Sequence, residues 1–350
     1  MDRQVRNRIC WIRAILCFMV VTVHARNTDW FRADQVPWIA QCEDILTRSF
    51  AYIGVAGFFF ISGYLFFRNF RPEDLINKLC RRIHTLVIPF LFWNLMIYLL
   101  YLIYSVTPVI KLLFAGKDIS LSVQDFIDAV FFYKYNPVFW FMEHLIIFMA
   151  LTPLIDLVTR KRAGGIIAVI LVFLLGIRMY YHPLGHGLHV IYPYVLSGGG
   201  FLFGCHCGRH EHALFEQTHI PWGICAISAV LPFILTGIFI HNGNIYALQL
   251  MRTICGACLM IAAANIHFPA PAFWFRYTFF IYAAHQLTLS LINKCCAVLI
   301  CDNMYFGGLL FCVLPFAAVW ILALIASFIE THMPPVSSLA GISHPQKKSS

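Results

Sequence analysis

Long apolar runs broken by short polar clusters dominate the chain, over residues 9–25, 50–67, 85–104, 138–159, 164–181, 190–204, 220–240, 246–266, 273–293 and 305–330. Most of them approach or reach the roughly 20 residues that a helix rising ~1.5 Å per residue needs to cross the ~30 Å hydrocarbon core of a bilayer. They are continuous instead of alternating, which predicts helices and not barrel strands, because a helix satisfies its backbone hydrogen bonds within its own segment. The pattern therefore predicts an all-α, polytopic membrane protein with about ten transmembrane helices. The first run carries Arg13 and His24 and lacks a small-residue cleavage site, so it reads as a span and not as a removable signal. Between the third and fourth runs, the stretch from Leu121 to Phe132 places apolar residues at helical spacing and predicts a helix lying on the outer membrane face. Residues 1–335 read as a single integral-membrane domain and 336–350 as a short polar cytoplasmic tail.

Composition sharpens this picture. The chain is 60% hydrophobic and 12% charged, with a mean hydropathy of +0.76. That excludes an ordinary soluble enzyme, whose charged share is about twice as large, and it excludes a disordered chain. The 13 cysteines lie mostly inside apolar runs, where a thiol is a small hydrophobe, so no disulfide framework is implied. With the N-terminus inside, fifteen Lys and Arg fall on cytoplasmic segments and eight on external ones, which puts both termini in the cytoplasm. The net charge of +9 is accounted for by juxtamembrane cations facing anionic lipid, without a nucleic-acid partner.

Charge inside hydrocarbon is costly, which singles out Arg13, His24, Glu143, Arg252 and His285. Arg13 and His24 are eleven residues apart, about three turns, and return to nearly the same helix face. In this topology Arg13 lies near the inner leaflet, while His24, Glu143, Arg252 and His285 share the outer half. Arg81, Arg82 and Arg276 form, with Arg13, an inner set of cations. Glu143 sits among Phe139, Trp140, Phe141, Met142 and Leu145, so it must find a partner or keep its proton. Each group also has a plainer reading: an interfacial His is equally at home as a hydrated side chain, and Arg68, Arg71, Arg160, Lys161 and Arg162 read as side chains reaching for lipid headgroups. Two His-rich clusters, Cys205 to His212 and His182 to His189, match no zinc spacing, are expected in loops at span ends, and carry no expected metal site. The glycine run from Gly198 to Gly204 predicts close helix packing; without a Gly-Lys-Ser/Thr sequence it is not a phosphate loop.

At these residues the chain resembles the acyltransferase-3 family, integral-membrane O-acyltransferases of bacterial surface carbohydrates. The matching pieces occur in family order: Arg13 and His24 in the first span; Gly57-Phe-Phe-Phe-Ile-Ser-Gly-Tyr-Leu-Phe in the second; Lys78-Leu-Cys-Arg81-Arg82 before Pro89; Phe139-Trp-Phe-Met-Glu143; and Tyr282-Ala-Ala-His285. Lys78 departs from the usual Arg of the basic motif, putting a point charge where a planar fork is the rule. The resemblance implies a protein of the cytoplasmic (inner) membrane that takes an acyl group, most often acetyl, from a cytoplasmic acyl-CoA to a hydroxyl of a surface or lipid-linked carbohydrate. It implies phosphate binding by Arg13, Lys78, Arg81, Arg82 and Arg276, His24 as general base with Glu143 orienting its ring, and Arg252 or His285 at the developing oxyanion. Acyl-CoA is the only co-substrate expected, with no metal. Competing readings are a transporter or flippase for a lipid-linked or small anionic metabolite, and a sensor whose polar residues only join helices. Trp30, Phe31, Trp38, Tyr133, Tyr135 and Tyr180 fit either sugar stacking or an interfacial aromatic belt.

Overall fold

The computed structural model describes residues 2–106, 122–181, 191–217, 219–241 and 245–342, among which there is no strand. The helices are α1 (Arg3–Ala25), α2 (Pro37–Ile45), α3 (Ile53–Phe67), α4 (Leu75–Arg82), α5 (Ile88–Val106), α6 (Val123–Phe131), α7 (Trp140–Ala150), α8 (Thr152–Thr159), α9 (Arg162–Tyr181), α10 (Tyr192–His210), α11 (His212–Glu216), α12 (Trp222–His241), α13 (Ile245–Ala262), α14 (Thr278–Leu299), α15 (Met304–His332) and α16 (Pro334–Leu339). Among the described residues each of the ten apolar runs lies mainly on helix. The fourth is divided into α7 and α8, bent by 62°. Among the described residues five helices are long and apolar enough to cross a membrane, or six with that bent pair taken as one span. The runs that fall short, on α10, α12, α13 and α14, include the helices that carry Arg252 and His285.

Helix α15 shows what oil does to sequence. Leu309, Val313, Phe316, Leu324 and Phe328 are exposed, while Phe311, Leu314, Ala318, Leu322 and Ala326 on the other face are buried. Both faces are apolar. The buried face interleaves Ala318, Ala323 and Ala326 with Phe311, Leu314 and Leu322, and the small residues let a neighbouring helix come close. Polar ends are capped locally: Asn303 Oδ1 accepts from the Tyr305 N–H at 2.7 Å, and Ser122 Oγ accepts from Asp125 N–H at 3.1 Å.

The chain forms two compact units, each drawn from three separated segments. The first comprises Met1–Val20, Ile45–Leu79 and His144–Phe275. Within it α3 meets α10 at backbone distance. A Cβ added at Gly63 would stand 2.9 Å from the Cys205 nitrogen, and one at Gly208 would stand 3.0 Å from the Tyr64 Cα. Gly256 of α13 approaches Gly57 of α3 in the same manner. At one end of α10, Arg209 is ion-paired with Asp156 and donates to its carbonyl at 3.1 Å.

The second unit comprises Val21–Asp44, Cys80–Glu143 and Arg276–Ser350. Here α14 packs along α15, and α6 packs on α5, with Ile97, Tyr98 and Ala129 in one cluster that Tyr135, beyond the end of α6, joins. The predicted helix after Leu121 is thus present as α6. Asn94 Nδ2 donates to the Val130 carbonyl at 3.1 Å and Asn136 Nδ2 donates to Asn94 Oδ1 at 3.2 Å, closing the α5–α6 contact. At the C-terminal end, residues 334–339 form α16, and Trp93 Nε1 donates to the Ala340 carbonyl at 3.3 Å. The rest of the expected tail, 343–350, lies outside the described residues.

Candidate functional site

A pair of imidazoles lies in the second unit. His24 sits in the last turn of α1 and His285 in α14, with ring centroids 4.9 Å apart and planes tilted by 60°. His285 is fully buried, whereas His24 is partly so. His285 Nδ1 lies 2.5 Å from the Tyr282 carbonyl oxygen. A carbonyl can only accept, so Nδ1 carries the hydrogen, and in the neutral ring Nε2 is left as a bare acceptor. That nitrogen is buried without a hydrogen-bond partner among the described residues. Tyr282 is itself fixed, because its hydroxyl donates to the Val138 carbonyl at 2.6 Å and its ring stacks on Phe139 at 5.8 Å with planes 9° apart. Tyr282 lies three residues before His285 in α14, which is why its main-chain carbonyl can reach the imidazole.

Glu143 belongs to the same unit and accepts a hydrogen bond from the Tyr133 hydroxyl at 2.9 Å. Among the described residues it makes no hydrogen bond to His24, so the partner expected to be the imidazole is a phenol. The Tyr133 backbone adopts φ 42°, in the left-handed region that a bulky residue rarely enters, and such strain persists where surrounding contacts hold it. Beyond His24, Asn27 locks the chain after α1: its N–H donates to the Glu43 carboxylate at 3.2 Å and its Nδ2 donates to the Gly307 carbonyl at 2.8 Å. Asn293 Nδ2 donates to the Ala25 carbonyl at 3.5 Å. Tyr282 is legible in the sequence within the Tyr-x-x-His motif and Tyr133 among the outer aromatics, but Asn27, Glu43 and Asn293 were not singled out there. Of these three, only Asn293 carries a spacing signal, lying about two turns from His285 on the same helix face.

Arg252 lies in the first unit. It is 8% exposed, its guanidinium sits 4.9 Å over the Tyr52 ring, and Nη2 donates to the Arg48 carbonyl. Arg48 belongs to the π-turn Leu46–Ala51 that precedes α3. The cations divide likewise, with Arg13 and Lys78 in the first unit and Arg81, Arg82 and Arg276 in the second. Arg13 and Arg81 are exposed. Lys78 Nζ donates to the Phe66 carbonyl at 3.2 Å and lies 5.0 Å over the Phe70 ring. Arg276 is ion-paired with Glu330, to which Tyr277 also donates at 2.7 Å.

Three of the side chains expected to reach for headgroups have carboxylate partners. Arg68 is paired with Glu216, with Nη2 donating to Oε2 at 2.8 Å; Arg160 donates to Asp156 at 2.9 Å; and Arg162 donates to Glu211 at 2.7 Å. Only in the Arg68 pair are both side chains largely buried; the Arg160 and Arg162 side chains stay 60% and 67% exposed beside more buried carboxylates. Arg68 holds the Glu216 carboxyl below its ordinary range, chiefly through these hydrogen bonds. The cluster from Cys205 to His210 is helical, within α10, and not in a loop; His210 Nε2 lies 2.7 Å from the Thr159 carbonyl. Among the described residues no three His, Cys, Asp or Glu side chains group as metal ligands, and the cluster from His182 lies outside the described residues. A cavity of about 380 Å³ in the first unit is lined by His219, Ile220, Pro221, Trp222, Asn265 and His267, and by none of the expected site residues.

The described residues thus form a helical protein with long apolar helices, in which two imidazoles lie together and one of them is oriented by a main-chain carbonyl. The comparison with known families gives its class. The acyltransferase-3 model, described as an acyltransferase domain, matches residues 6–329, and the chain belongs to this family. It is a membrane acyltransferase, and the matched region contains His24, Glu143, Arg252 and His285. No curated protein and no solved structure matches the chain.

Proposed function

We propose that the protein transfers an acyl group, acetyl in the simplest case, from cytoplasmic acyl-CoA to a hydroxyl of a surface or lipid-linked carbohydrate. The observation that carries this reading is the pairing of His24 with His285 at 4.9 Å in a family of acyltransferases. In this reading His24 is the general base. It removes the acceptor proton as the oxygen attacks the thioester carbon, and it returns that proton to the departing sulfur. Glu143, held by Tyr133, adds negative charge that favours the imidazolium. Arg13, Lys78, Arg81, Arg82 and Arg276 supply cations for the donor's phosphates, and Arg276 serves that purpose only by sharing with Glu330. Arg252 is assigned to the oxyanion. The chain sits in the inner membrane with both termini cytoplasmic, so the donor enters from the side that holds it.

The test uses membrane vesicles from cells making the full chain, supplied with acetyl-CoA and read by free thiol. Thiol release above that of vesicles lacking the chain is expected. His24→Ala should abolish it at unchanged protein level, whereas Arg13→Ala should chiefly raise the acetyl-CoA KM. Release by His24→Ala at the wild-type rate would remove His24 from the chemistry.

A further inference from the structure

His285 stands beside the proposed base with an orientation the reaction above leaves unused. The Tyr282 carbonyl, 2.5 Å from Nδ1, takes up the one hydrogen of the neutral ring. Nε2 is therefore a lone pair, enclosed in a fully buried side chain and without a partner among the described residues. Leaving such an acceptor unsatisfied is costly, and the cost is tolerated where a donor arrives during function. The neighbouring ring at 4.9 Å is that of His24. As a neutral base His24 has one N–H; after taking a proton it has two.

We propose that His285 is a positioning residue for His24: its Nε2 accepts an N–H of the His24 ring, holding the other nitrogen of that ring toward the acceptor hydroxyl and stabilising the imidazolium once formed. This rests on His24 being the base. The acceptor O–H bond breaks and its proton goes to the free nitrogen of His24 while the oxygen bonds to the acyl carbon. The C–S bond then breaks, its electron pair leaves on the CoA sulfur, and that sulfur takes the proton from His24. His285 keeps one proton throughout. A carboxylate performs this task in many base-and-orienter pairs; here a neutral imidazole does so, polarised from behind by a backbone carbonyl. Tyr282 keeps the arrangement in register through its 2.6 Å bond to Val138.

This inverts the expectation that His285 donates to an oxyanion, because its buried nitrogen has no hydrogen to give. It also predicts unequal consequences for two substitutions of similar polarity. His285→Gln keeps an acceptor oxygen at the ε position. His285→Asn keeps a donor near the δ position for Tyr282 and offers nothing at the ε position.

In the vesicle assay His285→Asn should lower kcat by about 100-fold with the acetyl-CoA KM unchanged, while His285→Gln stays within about tenfold of wild type. An Asn variant as active as the Gln variant would overturn the proposal, as would one that raised KM at constant kcat. A second measurement needs no active variant. ¹⁵N-histidine spectra of the detergent-purified full chain, with the His285 signal assigned by its loss in His285→Gln, should show the Nδ1–H tautomer; an Nε2–H tautomer would overturn the proposal. Failure here is separable from failure of the proposed function. If His24→Ala is inactive and His285→Asn is fully active, the positioning role falls alone; if the wild type releases no thiol, both fall.

Discussion

Gly204 carries the most sharply defined consequence of the packing. A methyl group added there would press on the Phe60 carbonyl oxygen and stand 2.8 Å from its carbon and 3.0 Å from the Tyr64 nitrogen. Comfortable separations of non-bonded heavy atoms begin near ~3.5 Å, so α3 and α10 would have to part by roughly 0.5–1 Å. Each neighbour in the way is backbone, which cannot rotate aside as a side chain can. Overpacking costs about 1–3 kcal/mol in ordinary cores, and a gap of that width also forfeits a quarter to a half of the dispersion energy along the seam. We therefore expect Gly204→Ala to destabilise the protein by about 3 kcal/mol, lowering the apparent Tm in detergent by about 5–10 °C. Gly198→Ala is the internal control, since its added Cβ meets only the Phe148 ring at 3.5 Å, an ordinary contact. Fluorescence-detected size-exclusion after graded heating measures both. Equal melting of the two variants would show that α3 and α10 do not meet backbone to backbone.

Two further outcomes follow from named contacts. The Glu216 carboxyl is depressed by Arg68 in the folded protein, so its contribution is present above the unfolded carboxyl's ~4.3 and is lost as pH falls through the lower folded value. Wild type should exceed Glu216→Gln by about 1 kcal/mol at neutral pH, with the gap closing below about pH 4; a gap independent of pH would detach the ion pair from stability. For the Tyr133 hydroxyl, 2.9 Å from Glu143, Tyr133→Phe should lower kcat for thiol release by about tenfold, the equivalent of ~1.4 kcal/mol. Combining it with Glu143→Gln should add little more, and additive effects would mean the bond does not serve the reaction.

What was readable in the chain, and what was not, divides along a physical line. Ten helical runs were legible because burial in lipid demands unbroken apolar sequence, and Arg252, Glu143, His24 and His285 were legible because charge there is costly. Depth along the bilayer normal could be counted at ~1.5 Å per residue, yet depth is one coordinate of three. Arg252 and His24, placed at one level by that count, belong to different compact units. Lateral neighbours are chosen in oil by small residues and by polar pairs, neither of which hydropathy weights. Thus the glycine run was visible, but not that Gly204 and Gly208 touch backbone while Gly198 does not. Arg68, Arg160 and Arg162 were likewise visible as cations at span ends, while Glu216, Asp156 and Glu211 lie 148, 4 and 49 residues away in the chain. Only Asp156, one turn from Arg160, could have been paired from spacing alone. The same limit hid His285's role. Its helix and its depth follow from the sequence, but whether its free nitrogen donates or accepts a hydrogen bond depends on the Tyr282 carbonyl, a backbone atom with no letter of its own.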